Sequence, residues 1–219
     1  MTNKTNIVID IETVTNPVTA AEIELAMAEY EPPKSYKKAE TIEKHRMAFM
    51  GSAGQRLADA KRFTLGGKRM ISISAGIADE YRGEVVNIES FASDDLSIVV
   101  KGFTEYVSEF REYCLIGWNQ DRFDVPEMIR SFRLTGIKPK TPPVKWGSVD
   151  LCNNNKSPYK GMKLKEAAKA MGIKAMGLTG DSVAKLHEQG DWETIKKYNE
   201  DDVRITGELY LAAIIFITF

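Results

Sequence analysis

The stretch IVIDIET, residues 7–13, places two acids in an otherwise apolar, β-branched run. This composition predicts a buried strand over residues 5–11. Side chains two residues apart on a strand point to the same face, about 7 Å from each other, so Asp10 and Glu12 share one face. Aspartate is depleted in strands, and burying an unpaired carboxylate is unfavourable. Two interpretations stay open: the strand ends at Ile9 and the acids are solvated, or both acids belong to a site.

The composition of the chain is that of a soluble globular protein. Its 219 residues are 43% hydrophobic and 28% charged, with a formal net charge of -1, and this length accommodates one α/β domain with a sizeable core. The near-zero charge leaves only local patches to attract nucleic acid. Two cysteines without metal-type spacing favour a reduced, cytoplasmic protein. We find no signal-peptide pattern, and the apolar run at 209–219 is shorter than the ~20 residues of a membrane span, so no membrane partner is expected.

Hydrophobic periodicity predicts strands first and then strands that alternate with helices, which indicates a mixed sheet with helices packed on it. Short turns favour antiparallel pairing among the early strands. The predicted strands are 5–11, 69–78, 83–92, 113–118 and 146–152. The predicted helices run from Ser93 or Asp94 to about 112, from about 125 to a point before Gly136, over 163–171, over 181–189, and from 191 to about 214.

An insert at residues 17–68 separates the first two predicted strands. Two pieces of it, 19–30 and 38–50, have helical character, and two prolines lie between them. From Lys34 to Arg69 the chain carries ten lysines or arginines against three acids, and a second basic stretch, 138–165, carries seven lysines against one acid. Each stretch is either a path for the phosphates of a single strand or a solvated helix face.

A second motif, GWNQDRFDVPEMI at residues 117–129, places Asp124 between a predicted strand and a helix that begins with Val-Pro. Aspartate before a helix led by proline is a good N-cap, because its carboxylate accepts hydrogen bonds from the free N–H groups of the first turn. Capping therefore stays open beside a role in a site.

The third motif lies on the last predicted helix, where one face is spaced 3, 4, 3, 4 and is expected to point inward. The members of this face are Ile195, Tyr198, Asp202, Ile205 and Leu209. Asp202 on such a face needs a partner, which is either a buried lysine or arginine or a metal ion. The neighbouring Glu200 and Asp201 fall off the face, and we expect them to be solvated.

The acids of the three motifs have one joint explanation. Four carboxylates around one point repel each other and titrate upward unless cations compensate their charge. Carboxylate oxygens are the ligands that Mg²⁺ and Mn²⁺ prefer. Two such ions about 3.5–4 Å apart form the site that enzymes use for in-line cleavage of phosphodiesters.

The ordered motifs resemble those of the DEDD superfamily of 3′–5′ exonucleases, in its tyrosine subgroup. They are Asp10-Ile-Glu12, Asn119 through Phe123-Asp124, and Tyr198 through Asp202. The chain is most similar to the exonuclease domain of family B DNA polymerases and its stand-alone phage and bacterial relatives, over residues 1–16 and 69–212. The stretches VDL at 149–151 and KLKEAAKAMGI at 163–173 add to the resemblance. Lys197 stands where the histidine subgroup needs histidine.

The resemblance implies a single exonuclease domain over 1–219, with an α/β, ribonuclease H-like mixed sheet flanked by helices and the helical insert after the first strand. It implies two divalent cations, Mg²⁺ or Mn²⁺, with a common set of ligands and a tyrosine that orients the attacking water. The implied metal ligands are Asp10, Glu12, Asp124 and Asp202, and the implied tyrosine is Tyr198. The implied substrate-binding residues are Thr13, Trp118 and Asn119, where Trp118 replaces a histidine that relatives often carry.

The activity implied by the resemblance is removal of nucleoside monophosphates from the 3′ end of DNA, single-stranded ends above all. An exoribonuclease of the same superfamily is an alternative within enzymes. A non-catalytic nucleic-acid-binding module on the same fold is the alternative from another class, since a fold alone does not establish activity. The implied partners are nucleic acid and proteins of replication or recombination, in the cytoplasm of a cell or of a phage host.

Overall fold

The computed structural model describes residues 4–61, 66–137, 139–140 and 147–217, and the side chains of these up to Ile214. The chain divides into two compact units, of which the first comprises Met1–Val14 with Met70–Phe219 and the second comprises Thr15–Arg69. The strands are β1 Thr5–Thr15, β2 Lys68–Asp79, β3 Glu84–Ala92, β4 Tyr113–Gly117 and β5 Ser148–Asp150. The helices are α1 Ala20–Ala28, α2 Ala39–Lys61, α3 Leu96–Ser108, α4 Asp124–Thr135, α5 Leu164–Ala170, α6 Gly180–Glu188 and α7 Trp192–Ile217.

The five strands form one mixed sheet in the order β3-β2-β1-β4-β5. β1 pairs in parallel with β4 and β4 in parallel with β5, while β2 and β3 are antiparallel. All five residues of β4 are buried, as expected for an inner strand covered on both faces. The predicted α/β mixed sheet is confirmed, with β1 at its centre.

The two faces of β1 pack against different helices. Its odd-numbered side chains, such as Ile7 and Ile9, join a core with Phe103 of α3 and Met128 of α4. The even-numbered Val8 instead joins a core built from α5 and α7. Because strand side chains alternate between faces, the even-numbered acids of β1 point toward the side of the sheet that carries α7.

β1 is longer than predicted and continues through both acids to Thr15. The interpretation in which the strand ends at Ile9 is therefore wrong. The residues beyond Glu12 are Thr-Val-Thr, and their branched Cβ atoms favour the extended backbone. Helix α3 starts later than predicted: its N-cap is Asp95, whose side chain accepts a hydrogen bond from Ser97 N at 2.8 Å, and neither Ser93 nor Asp94 takes this role.

The second unit contains α1 and α2, the two helices predicted for the insert. Thr19 and Glu22 form a capping box at the start of α1, which satisfies N–H groups that have no partner inside the helix. The Tyr30 hydroxyl lies 2.7 Å from Nδ1 of His45, and the Tyr30 and Phe49 ring centroids are 4.8 Å apart. The Arg56 guanidinium lies 3.5 Å above the Phe49 ring, a favourable cation–π distance.

A glycine of α7 permits the close approach of this helix to the sheet. A Cβ atom at Gly207 would overlap Cγ2 of Val85 and lie 3.2 Å from Cγ2 of Val8. We expect Gly207→Ala to lower the free energy of unfolding by about 1–3 kcal/mol, the usual effect of overpacking. The urea midpoint of the purified protein measures this change.

Two variants serve as controls for Gly207→Ala. Val85→Ala removes the overlapping methyl group, so the double variant should recover part of the lost stability. Gly177→Ala adds a Cβ that meets no atom within 4 Å, and its effect should stay within about 0.5 kcal/mol. A Gly207→Ala protein as stable as the wild type would contradict the close packing of α7.

Candidate active site

Three of the predicted acids lie together above the even-numbered face of β1. Asp10 and Glu12 come from β1 and Asp202 comes from α7, and each offers a carboxylate oxygen within 4.8 Å of the others. Glu12 and Asp202 are buried, and Asp10 is half-buried. The alternation of β1 and the inward face of α7 therefore bring together residues 190 positions apart in the chain.

The fourth predicted acid, Asp124, is the first residue of α4 and is also buried. Its Oδ1 accepts a hydrogen bond from Ile11 N at 3.2 Å, so its carboxylate is directed at β1 between the two acids of that strand. The N-cap of α4 is Phe123, and no side chain makes a capping hydrogen bond there. The interpretation of Asp124 as a cap is therefore wrong.

The site favours protonated carboxylates in the absence of cations. Burial is the main reason why the pKa of Asp10 lies well above its ordinary value, and the negative charges of Glu12, Asp202 and Asp124 raise it further. Burial also raises the pKa of Asp124 to about 7, although its hydrogen bond from Ile11 opposes the shift. This clustered, desolvated negative charge is what a divalent cation would neutralise.

A lysine is already present beside Asp202. Lys165 of α5 is hydrogen-bonded through Nζ to Oδ1 of Asp202, and the same Nζ lies 3.8 Å from Asp201 Oδ2 and 5.0 Å from the centroid of the Tyr198 ring. Burial raises the pKa of Asp202 above its ordinary value, and the contact with Lys165 opposes this shift. Of the partners expected for an inward Asp202, the structure supplies the lysine, and the carboxylate cluster supplies a place for a metal ion.

Tyr198 lies one turn before Asp202 and is buried with Val14, Val183 and Ile195. Its hydroxyl and the Asp202 carboxylate interact electrostatically, and each changes the pKa of the other. Burial and the surrounding carboxylates raise the pKa of Tyr198 far above its ordinary value, so the hydroxyl keeps its proton at neutral pH. The geometry suits a group that orients a water molecule rather than one that removes its proton.

Asp201 does not have the solvated position that we expected. Its carboxylate accepts hydrogen bonds from Met176 N at 2.8 Å and from Arg204 at 2.6 Å, and its side chain is only 12% exposed. Asp201 thus ties the segment after α5 to α7, while Asp202 faces the site. Glu200 is half-buried.

The predicted substrate-binding residues occupy different positions. Asn119 follows β4 with a left-handed backbone, φ 59°, and its side-chain oxygen accepts a hydrogen bond from Asn153 Nδ2. Trp118 packs at the edge of the core of α5 and α7, its ring tilted against Tyr159. Thr13 is half-buried and, by strand alternation, points to the face opposite Glu12.

One buried acid that we did not assign to the site shapes the loop that carries Asn119. Asp150, at the end of β5, accepts hydrogen bonds from the backbone N–H groups of Asn119, Asp121, Cys152 and Asn153. Four backbone donors fully satisfy a carboxylate in a buried place. The VDL stretch was a signal for this residue, but it does not reveal which N–H groups Asp150 meets.

A family model of the RNase H superfamily matches residues 64–214, more than half of the chain, and its match begins after β1. A comparison with curated proteins finds no match. Among the described residues, no helix combines the length and apolar character that crossing a bilayer requires.

Two solved structures align with most of this chain. The family B DNA polymerase from the hyperthermophilic archaeon Pyrobaculum calidifontis aligns with a TM-score of 0.60 and 16% identity, over 96% of this chain and 24% of that chain. A structure of exonuclease I aligns with a TM-score of 0.49 and 14% identity, over 96% of this chain and 41% of that one. The chain thus spans less than half the length of either protein. By its family match and its fold, the chain belongs to the RNase H superfamily.

Proposed function

We propose that this chain is a metal-dependent 3′–5′ exonuclease of the DEDD superfamily, tyrosine subgroup. The observation that carries the proposal is the meeting of Asp10, Glu12 and Asp202 within 4.8 Å, with the buried Asp124 bonded to the same strand. The fold, the order of the motifs and the position of Tyr198 one turn before Asp202 support it. The similarity to a family B DNA polymerase favours DNA as the substrate.

The donor set fits divalent cations. All four acids offer carboxylate oxygens, the hard ligands of Mg²⁺ and Mn²⁺. The raised pKa values of Asp10, Asp124 and Asp202 indicate negative charge that a cation would neutralise. In this proposal Asp10, Glu12, Asp124 and Asp202 hold two ions. Bound ions of this kind lower the pKa of a water molecule and stabilise the charge that develops on a phosphodiester.

The chain's own residues orient the reactants. Tyr198 keeps its proton beside the Asp202 carboxylate, so its hydroxyl is able to donate a hydrogen bond to a water molecule. Lys165 brings a positive charge to the same place, where it offsets Asp202 and can bind a phosphate oxygen of the substrate. Asn119, held by Asp150 and Asn153, is proposed to contact the terminal nucleotide.

We also propose that the second unit guides a single strand. Lys34, Lys37 and Lys38 precede α2 and are exposed, as are Lys44 and Arg46 on α2 itself. Exposed cations of this density bind the phosphates of single strands. Part of the other basic stretch, residues 138 and 141–146, lies outside the described residues, and Lys165 at its end belongs to the acid cluster rather than to a surface.

A degradation assay tests the proposal. The purified protein is incubated with 5′-labelled single-stranded DNA and RNA, side by side, in Mg²⁺, in Mn²⁺ and in chelator. We expect a metal-dependent ladder that shortens from the 3′ end of DNA. Faster shortening of RNA would point to an exoribonuclease, and binding without cleavage in either metal would reassign the chain to a non-catalytic module.

Tyr198→Phe separates orientation of water from proton removal. The variant keeps the ring that packs with Val14 and Ile195 and loses only the hydroxyl. We expect the single-turnover rate to fall by about tenfold to a hundredfold, at or below the lower end of the 10²–10⁴ that loss of a general base produces. A loss as large as that from removing a metal ligand would show that the hydroxyl does more than orient water.

A further inference from the structure

A buried amide lies between the acid cluster and strand β2. Asn199, on α7 beside Tyr198, is fully buried, and its Nδ2 donates to Oδ2 of Asp10 at 2.6 Å. Its Oδ1 accepts from Ser72 Oγ at 2.9 Å and from Ser74 Oγ at 2.7 Å. Both serines come from β2 and are also fully buried. Every polar atom of this side chain therefore has a partner.

These contacts determine the direction of the amide. The carboxylate that binds a cation is ionised and only accepts hydrogen bonds, so in that form of the site the NH₂ group of Asn199 must face Asp10. The two hydroxyls must then donate to the amide oxygen. Because Ser74 donates its only hydroxyl proton to Asn199, it must accept the hydrogen bond that it shares with Ser90. Ser90 Oγ, 2.6 Å from Ser74 Oγ, is therefore the donor in that pair. Hydrogen bonds thus run in one direction, from Ser90 of β3 through Ser74 and Asn199 to Asp10.

We propose that Asn199 is a positioning residue that fixes the Asp10 carboxylate in the orientation that binds a divalent cation, with Ser72 and Ser74 locking the amide. This inference rests on the proposed function, because it deepens the role of the same acid cluster. The bond from Nδ2 occupies one lone pair of Oδ2 and hinders rotation of the carboxylate group. A carboxylate that is already oriented loses less conformational freedom when an ion binds. Residues that hydrogen-bond to metal ligands commonly orient them in this way.

The alternative is that Asn199 only satisfies buried polar groups between α7 and the sheet. That role predicts a loss of stability when the amide is removed, without a specific loss of metal affinity. It also predicts that removing the serines affects the fold alone. The two roles therefore differ in the binding of ions by the folded protein.

Calorimetric titration of the full chain with Mn²⁺, without nucleic acid, distinguishes them. We expect Asn199→Ala to weaken Mn²⁺ binding about 10- to 100-fold. Ser72→Ala with Ser74→Ala, which leaves all four acids in place, should weaken it in the same direction. Added to Asn199→Ala, the serine changes should weaken binding no further, because they act through the amide. Ser131→Ala, which removes a buried α4 hydroxyl with no partner among the described residues, is the control and should bind Mn²⁺ as the wild type does.

Each outcome decides the inference. Wild-type Mn²⁺ affinity in Asn199→Ala, or serine effects that add fully to it, would overturn it. If Asn199→Ala does not fold, the serine variant alone decides, and unchanged affinity there overturns the inference. A wild-type protein that binds Mn²⁺ but cleaves no nucleic acid would refute the exonuclease and leave the role of Asn199 supported. A wild-type protein that binds no Mn²⁺ would overturn both.

Discussion

Asp10→Asn is expected to lower the rate of 3′-end hydrolysis by roughly 10³-fold or more, about 4 kcal/mol of transition-state stabilisation. The neutral amide has the shape of the carboxylate but removes a charge from the cluster formed with Glu12 and Asp202. The measurement is the single-turnover rate on 5′-labelled single-stranded DNA in Mg²⁺. Asp202→Asn should give a loss of similar size, because its carboxylate belongs to the same cluster.

The folded state should tolerate this substitution. Burial and three neighbouring acids raise the pKa of Asp10, so its charge destabilises the metal-free protein. In chelator at pH 8, Asp10→Asn should therefore melt above the wild type, by about 2–4 °C for each kcal/mol gained. Asp79→Asn, at the end of β2 outside the cluster, should keep the wild-type rate. A wild-type rate in Asp10→Asn would refute the site.

Local patterns predicted the sheet and most helices because these elements carry periodic signals. The apolar residues of β4 and α7 were enough to predict the strand and the inward face of the helix. β1 was predicted too short because acids are rare in strands, although the fold places them there to build the cluster. Helix α2 was predicted too short as well: it continues through Gly51 and Gly54, two residues with low helix propensity.

Local sequence patterns do not predict the groups that contact these acids or hold the loop of Asn119. Lys165, Asn199 and Asp150 act through contacts with residues 31 to 189 positions away, and no spacing within one helix or strand encodes such pairs. Asn199 even lies next to Tyr198, a residue that the motif does identify. Three of the four acids that the sequence predicts for the site, Asp10, Glu12 and Asp202, lie together in the structure, which adds the groups that contact two of them, Asn199 and Lys165.

Asp124→Asn tests the acid whose interpretation changed most. The carboxylate faces β1 rather than the first turn of α4, so we expect the rate of hydrolysis to fall by about 10²–10³-fold. Stability should not fall, because the amide oxygen of asparagine can accept the same hydrogen bond from Ile11 N and the substitution removes a charge that burial disfavours. The measurements are the single-turnover rate in Mg²⁺ and the urea midpoint.

An N-cap would behave in the opposite way. Asparagine caps helices as well as aspartate does, and alanine at a cap lowers stability by about 0.5–2 kcal/mol. If Asp124 acted on the helix alone, Asp124→Asn would keep the wild-type rate and only Asp124→Ala would lose stability. Because the observed carboxylate reaches a strand that also carries Asp10 and Glu12, we expect Asn and Ala at position 124 to slow hydrolysis to a similar extent, which distinguishes a ligand from a cap.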